Sequence, residues 1–220
     1  PAQHSHGFLT SIRGVLDLYR ITSDRRYLDQ ARAARQGVID SGNVRVSGAI
    51  PEMFAPENKR DEGCSEADWL RLTLELWQIT HDAVYLQQAQ RTWFNEFSFN
   101  QFATGDFGHH EYAANGMRPP AARAWWCCTF HGLRAMAALF TFVFHGEGAD
   151  LYYDLPLDGE GQARGLTIAA SSSLERDATV RLGILRADGR PHQLAVRQPE
   201  WASDVQLTLG GTTLVTKNEG

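Results

Sequence analysis

The sequence predicts an α+β chain of more than one domain, in which repeated helices are followed by a small β-domain. Two observations lead to this prediction. In the 220-residue chain, apolar residues recur at helical spacing up to about Gly146 and alternate with polar residues beyond it. A helical hairpin pattern also occurs twice, 58 residues apart. We therefore expect residues 1–146 to be helical and residues 147–220 to form strands.

The helical repeat is visible residue by residue. Leu16–Ala31 matches Leu74–Ala89, and each copy ends one helix at Ile-Thr and continues with an Asp that can cap the next. The first helix of each copy has an apolar stripe, Ile12, Val15, Leu16 and Tyr19 in one and Trp69, Leu72, Thr73 and Leu76 in the other. Repeated helical hairpins are typical of helical toroids and solenoids. The long loop after each hairpin is expected to line a functional site.

The β-domain is predicted from short alternating runs that are separated by turn residues. These runs cover residues 166–170, 180–184, 194–196 and 205–209. Gly210-Gly211 and Asp188-Gly189 are candidate hairpin turns, because such dipeptides favour the positive φ angles of tight hairpins. We expect the strands to be antiparallel.

Composition and charge exclude several classes of protein. Hydrophobic residues make up 43% of the chain, which excludes intrinsic disorder. The net charge is −5 and no block of basic residues occurs, so no nucleic-acid partner is expected. The longest apolar run, near 135–144, is too short to span a bilayer, and no membrane partner is expected. The oligomeric state is left open.

The chain has three cysteines, Cys64, Cys127 and Cys128, which are too few for a disulfide scaffold. Free cysteines favour the bacterial cytoplasm as the compartment. The chain starts like a piece of a longer protein, in which an upstream signal would lie outside this sequence. The localisation is therefore left open.

The cysteines stand at the starts of two predicted helices. Cys64 precedes Ser65-Glu-Ala-Asp68, which is expected to be the capping box of a new helix. Cys127 and Cys128 precede a helix predicted over 133–144. Together with Glu62, three thiols and one carboxylate make four ligands, the number that tetrahedral Zn²⁺ takes. Two other interpretations of the adjacent cysteines are a pair of buried small apolar side chains and a strained disulfide between neighbours.

A succession of short motifs supports a more specific hypothesis. The segments are His4 with Leu18-Tyr19 and Thr22–Leu28, Glu52-Met-Phe54, Glu62-Gly-Cys64, Trp126-Cys127-Cys128 and Arg197–Ala202. In order and approximate spacing they resemble the C-terminal half of the β-L-arabinofuranosidase family, glycoside hydrolase family 127 and its relatives. The resemblance covers nearly all 220 residues. Thr129–Gly132 replaces the Pro-Pro-Asn that commonly follows the cysteine pair, which indicates a divergent subgroup.

The resemblance implies a fold, a reaction and a cofactor. Residues 1–146 would be the C-terminal portion of an (α/α)6 barrel, and residues 147–220 part of an antiparallel β-sandwich. The activity would be that of a zinc-dependent retaining glycoside hydrolase that acts on β-L-arabinofuranosides or a related plant-type glycan. Because the chain covers about half of a six-hairpin barrel, the fragment by itself is expected to be inactive.

The resemblance also assigns roles to residues. Zn²⁺ would be held by Glu62, Cys64, Cys127 and Cys128. Cys127 would be the nucleophile, which is consistent with the ionisation of a thiol that is held by a metal. Glu52 would be the general acid/base, with Glu57 as the alternative.

Substrate contacts are predicted for three further residues. His4 would touch the sugar by resemblance, Tyr112 could stack on a sugar ring, and His131 could contact substrate or a thiolate. His109, His110 and Glu111 form a metal-like cluster in sequence, but sugar contact or loop packing is the preferred interpretation.

Two other functions stay open. A lanthionine-cyclase-like enzyme would also hold zinc on a helical toroid, with Cys128 and His131 as candidate ligands. A non-catalytic carbohydrate-binding or structural protein would use zinc to connect two loops. The identity of the zinc ligands tests the first alternative, and activity after removal of Glu52 tests the second.

Overall fold

Residues 3–55, 57–113 and 116–214 are described by a computed structural model, apart from the side chains of residues 112–113 and 116–122. The long helices are α1 (Ser5–Thr22), α2 (Arg25–Asp40), α3 (Gly63–Thr80), α4 (Ala83–Thr92) and α6 (Trp126–Phe140). Shorter elements are a π-helical turn at Trp93–Phe97, α5 (Ser98–Asn100) and α7 (Leu174–Asp177). Among the described residues, no helix is both long enough and apolar enough to cross a membrane.

The two helical hairpins, α1–α2 and α3–α4, have the same turn, which confirms the sequence repeat. Ser23 and His81 end the first helix of each hairpin in the left-handed conformation, with φ of 58° and 54°. The next residue caps the following helix. Asp24 accepts a hydrogen bond from the Arg26 N–H, and Asp82 accepts one from the Val84 N–H.

Helices α1, α3 and α6 form a parallel inner layer with α3 in the middle. Thr10 donates to Asp68 at 2.7 Å, and the rings of Trp77 and Phe142 are 5.7 Å apart. The Arg20–Gln78 contact repeats the 58-residue separation of Thr10–Asp68, and Cys64–Cys128 nearly repeats the separation of Trp77–Phe142. A constant separation within each pair of helices means that the two helices run in the same direction. The predicted stripe of α3 is fully buried, and the stripe of α1 is buried or partly buried.

The prediction of a capping box at Ser65–Asp68 is wrong, because helix α3 begins earlier, at Gly63. Glu62 is the N-cap, and Ser65 is the third residue of the helix, where its hydroxyl donates to the Glu62 carboxylate. Asp68 does not cap the helix, because it is buried and bound by Thr10 and Arg13 of α1. Tertiary partners thus take the polar groups that would otherwise form the cap.

Strands are distributed over several small sheets. Near the helical layer, β1 (Gln3–His4) pairs with β2 (Met53–Phe54), and β3 (Gly108–Ala113) forms a hairpin with β4 (Gly116–Ala124). The later strands are β5 (Phe144–Glu147), β6 (Asp150–Tyr153), β7 (Gly159–Ala163), β8 (Leu166–Ser173), β9 (Thr179–Ala187), β10 (Leu194–Val196), β11 (Thr208–Leu209) and β12 (Thr212–Thr213).

Two three-stranded sheets, β10–β6–β5 and β7–β8–β9, contribute side chains to one apolar cluster. Phe144, Leu151 and Tyr153 come from the first sheet, and Leu166 and Ile168 from the second. The strands are not all antiparallel as predicted, because β10 runs parallel to β6. The observed fold is therefore mixed helix and strand, with the strands of these two sheets beginning at Phe144 and two earlier strand pairs near the helices. The domain boundary at 146 stays a prediction.

One predicted hairpin turn is confirmed and the other is wrong. Gly210 and Gly211 connect β11 to β12, and both have positive φ, as a tight hairpin requires. Asp188-Gly189 follows β9, but the next strand, β10, joins the other sheet. The Asp188 carboxylate accepts from the Arg190 N–H and turns the chain locally without pairing the flanking strands.

Candidate metal and catalytic site

The three cysteines come together because the inner helices are parallel. Their sulfur atoms lie within 4.8 Å of one another, and the Cys64 and Cys128 Sγ atoms are 3.7 Å apart. Cys64 lies in the first turn of α3. Helix α6 starts at Trp126, earlier than predicted, so Cys127 and Cys128 lie in its first turn. We call these three residues the cysteine cluster.

The three thiols differ in exposure. Cys64 and Cys128 are buried, whereas Cys127 is only partly buried. All three are free, which excludes the strained Cys127–Cys128 disulfide. The interpretation of the adjacent cysteines as buried small apolar side chains fits Cys128 but not Cys127, which is only partly buried. Cys127 is therefore the thiol of the cluster that is in contact with solvent.

The spacing of the thiols fits tetrahedral zinc. Zn–S bonds of about 2.3 Å at tetrahedral angles place two sulfur atoms about 3.8 Å apart. The 3.7 Å between the Cys64 and Cys128 sulfurs is close to this value and far longer than a disulfide bond. Glu62 offers an oxygen within 4.8 Å of Cys128, so the predicted four ligands form one connected group.

Hydrogen bonds make Cys128 the most acidic of the three thiols. Its pKa is lowered to about 4, first because its sulfur accepts from Cys64 and then because it accepts from His109, against the opposite effect of burial. The same bond raises the pKa of Cys64, the donor. Burial and the neighbouring charge on Cys128 raise the pKa of Cys127. The cluster thus has one thiolate already stabilised by the protein itself.

Glu62 connects the cysteine cluster to His4. Its Oε2 atom lies 2.8 Å from His4 Nε2 and accepts from the Ser65 hydroxyl at 2.7 Å. Glu62 also forms a group with His109 and Cys128, with ligand atoms within 4.8 Å. As the residue before the first turn of α3, its carboxylate lies near the positive end of the helix dipole.

Glu52 lies beside the same residues. Its carboxylate is grouped with His4 and Glu62 within 4.8 Å and forms an ion pair with Arg60 at 3.2 Å. The backbone fixes this position, because the Glu52 carbonyl accepts from the Ser5 N–H at 2.9 Å. Glu57 is exposed and belongs to no such group among the described residues. The geometry therefore favours Glu52 over Glu57 as a carboxylate at this site.

The predicted substrate residues are only partly described. The side chain of His4 is 43% exposed, beside Glu62. His131 packs edge-on against His6, with ring centroids 4.6 Å apart, and these two histidines are grouped with Cys64. The side chain of Tyr112 lies outside the described residues.

Two histidines that were not assigned to the site in the sequence are part of it. His109 Nε2 lies 3.9 Å from Cys128 Sγ, and its Nδ1 lies 3.1 Å from the Asp61 carbonyl. Burial lowers the His109 pKa, but the bond to Cys128 outweighs this effect and the net shift is upward. His6 pairs with buried Asp68 at 2.7 Å. The 58-residue repeat offered a signal for His6, since it makes His6 the counterpart of Cys64.

Three solved structures that are similar to this chain in fold are glycoside hydrolases. A GH127 β-arabinofuranosidase matches with a TM-score of 0.72 and 18% identity, over 99% of this chain and 40% of its own. A GH127 β-L-arabinofuranosidase from Geobacillus stearothermophilus T6 matches with a TM-score of 0.72 and 16% identity, over 97% of this chain and 38% of its own. No family model matches the chain, and no curated protein matches its sequence.

A third, more distant match covers less of the chain. A family 76 glycoside hydrolase from a bovine Bacteroides thetaiotaomicron strain has a TM-score of 0.55 and 16% identity, over 64% of this chain and 31% of its own. The chain thus shares its fold with parts of these glycoside hydrolases. More particularly, it resembles the GH127 structures in fold and spans about two fifths of their length.

Proposed function

We propose that the chain carries the zinc site and catalytic residues of a retaining glycoside hydrolase acting on β-L-arabinofuranosides or a related plant-type glycan. The main support is one observation. Cys127 is partly exposed beside two buried thiols, at the same end of the inner helices as Glu52, Glu62 and His4. The fold likeness to GH127 structures agrees with this assignment.

The donor set assigns the metal ligands in this proposal. Zn²⁺ would be held by Glu62, Cys64, Cys127 and Cys128. Thiolate ligands favour zinc over the hard divalent ions of cells, Mg²⁺ and Ca²⁺. When bound, Zn²⁺ would supply the positive charge that keeps the thiols ionised at neutral pH. His109 would orient Cys128 and neutralise part of its charge.

The reaction would proceed in two steps. The Cys127 sulfur attacks the anomeric carbon and a C–S bond forms, while the glycosidic C–O bond breaks and Glu52 donates a proton to the leaving oxygen. Water then attacks the same carbon, Glu52 takes its proton, and the Cys127 thiolate leaves. Two inversions retain the configuration of the sugar. His4 and His131 would contact the sugar.

The test is Cys127→Ser in the complete protein of which this chain is part. We expect loss of glycoside cleavage, because a serine hydroxyl is neither ionised at neutral pH nor a soft ligand for zinc. His192→Gln is the control and should keep full activity, because His192 is far from the site in sequence and belongs to no metal-binding group among the described residues. Full activity of Cys127→Ser would contradict the thiolate mechanism.

A further inference from the structure

A second group of metal-binding side chains lies at the opposite end of α3 from the cysteine cluster. His81, His145 and Glu147 each offer a ligand atom within 4.8 Å of the others. We call them the His–His–Glu cluster. His81 follows the last residue of α3, a helix of 18 residues that is about 27 Å long. The two groups are therefore separate sites.

Strand and turn geometry bring the three side chains together. His145 and Glu147 are two residues apart in β5, so their side chains lie on the same face of the strand. The side chain of the preceding residue, Phe144, lies on the other face of the strand, in the apolar cluster of the two sheets. His81 stands at the left-handed position that ends α3, where its N–H donates to the Trp77 carbonyl at 2.7 Å. The ring centroids of His81 and His145 lie 6.2 Å apart.

The ring of His145 is held in place on three sides. Its Nδ1 atom lies 2.5 Å from the Asp154 carboxylate. Tyr152 stacks on the ring at 4.4 Å, and Trp77 packs against it edge-on at 5.2 Å. With Nδ1 bound to a carboxylate, Nε2 is left as the ligand nitrogen. A carboxylate behind a histidine in this way is the usual support of a metal-binding imidazole.

We propose that the His–His–Glu cluster binds a divalent transition metal ion of the Zn²⁺ type, with water completing the coordination. Two imidazoles and one carboxylate are a donor set typical of such ions, whereas Mg²⁺ and Ca²⁺ prefer oxygen ligands alone. The bound ion connects the α3–α4 turn to β5, and so joins the helical layer to the first sheet. Because His81 and Glu147 are exposed, the site can fill directly from solvent.

Equilibrium dialysis of the protein against Zn²⁺ tests this site. The wild type should bind one more ion than His145→Gln. Glu147→Gln should weaken binding at this site by at least about tenfold, and Asp154→Asn by about 10–100-fold, since Asp154 orients a ligand. His192→Gln is the matched control, because His192 also pairs with a carboxylate, at 2.8 Å to Asp188, yet belongs to no metal-binding group among the described residues.

Co²⁺ separates this site from the cysteine cluster. Thiolate ligands give intense charge-transfer absorption, while histidine and carboxylate ligands give weak d–d bands alone. A weak spectrum that disappears in His145→Gln and Glu147→Gln, with any thiolate absorption unchanged, supports the proposal whether or not the cysteines bind zinc. Equal metal binding by the wild type and by Glu147→Gln overturns the proposal. Because Glu147 is exposed and Gln has the same shape, this result can be interpreted even where His145→Gln fails to fold.

Discussion

His4 and Glu62 contact each other at 2.8 Å and occupy equivalent positions in the two copies of the helical hairpin, 58 residues apart. Each directly precedes an inner helix, α1 or α3. Thr10 contacts Asp68 at the same separation. Because the two copies of the hairpin pack in parallel, a residue in the first copy contacts the residue at the equivalent position of the second copy. The starts of the inner helices therefore gather at one end of the layer, where the candidate site lies.

We expect one tightly bound Zn²⁺ at the cysteine cluster. Cys64→Ser should lower its affinity by more than about tenfold, because the loss of a ligand exceeds the loss of a residue that orients one. Metal analysis after dialysis against a weak chelator measures this, with His192→Gln as the control. An unchanged zinc content in Cys64→Ser would show that the cluster is not the metal site.

Glu52 and Glu57 are expected to differ in their effect on activity. In the complete protein, Glu52→Gln should slow turnover strongly on substrates with poor leaving groups and much less on activated ones, which need little proton donation. With activated substrates, the sugar should accumulate on Cys127, because the second step still needs Glu52 as a base. Mass spectrometry detects this sugar-bound enzyme. Glu57→Gln is the matched control and should act like wild type. Equal loss on both substrate types in Glu52→Gln would transfer the role to Glu57.

Two helical glycines are expected to respond in opposite directions to alanine. A Cβ atom at Gly132 of α6 would lie 2.3 Å from the Phe107 ring, which is buried beside the site, so Gly132→Ala should cost about 1–3 kcal/mol of stability. Gly14 of α1 has open space, and Gly14→Ala should add about 0.5–1 kcal/mol. Urea denaturation of both variants measures the difference. Stabilisation by Gly132→Ala would contradict the close packing of α6 on Phe107.

Stability is expected to fall at alkaline pH because of Glu96. Burial, and next the charge of Asp61, raise the pKa of Glu96 to about 8. The native state therefore binds a proton that the unfolded state has already lost at neutral pH. This bound proton contributes fully to stability below the unfolded pKa of the carboxyl group. The contribution is lost as the pH rises through 8, by about 1 kcal/mol between pH 7 and pH 9. Glu96→Gln should remove this part of the pH dependence in thermal melts; Glu175→Gln, an exposed change, should retain it.

The repeat was the most reliable signal in the sequence. It predicted the two hairpins, their Asp caps and their buried stripes, because these features depend on local turn chemistry and helical periodicity. The capping box at Ser65 was wrong, since Asp68 binds Arg13 and Thr10 across the helix interface. The strands β3 and β4 were not predicted, because the hairpin lies in a segment without an alternating apolar pattern.

Local sequence patterns show which side chains can bind a metal, and they place Glu62 and the three cysteines near the starts of helices. The sequence by itself also determined the change from helix to strand, through the change of hydrophobic period. The tertiary structure decided which of these residues meet. His109 approaches Cys128, and His145 approaches His81, because separate elements pack against each other in three dimensions. No periodicity along the chain encodes such contacts, since they depend on the direction in which each helix and strand packs.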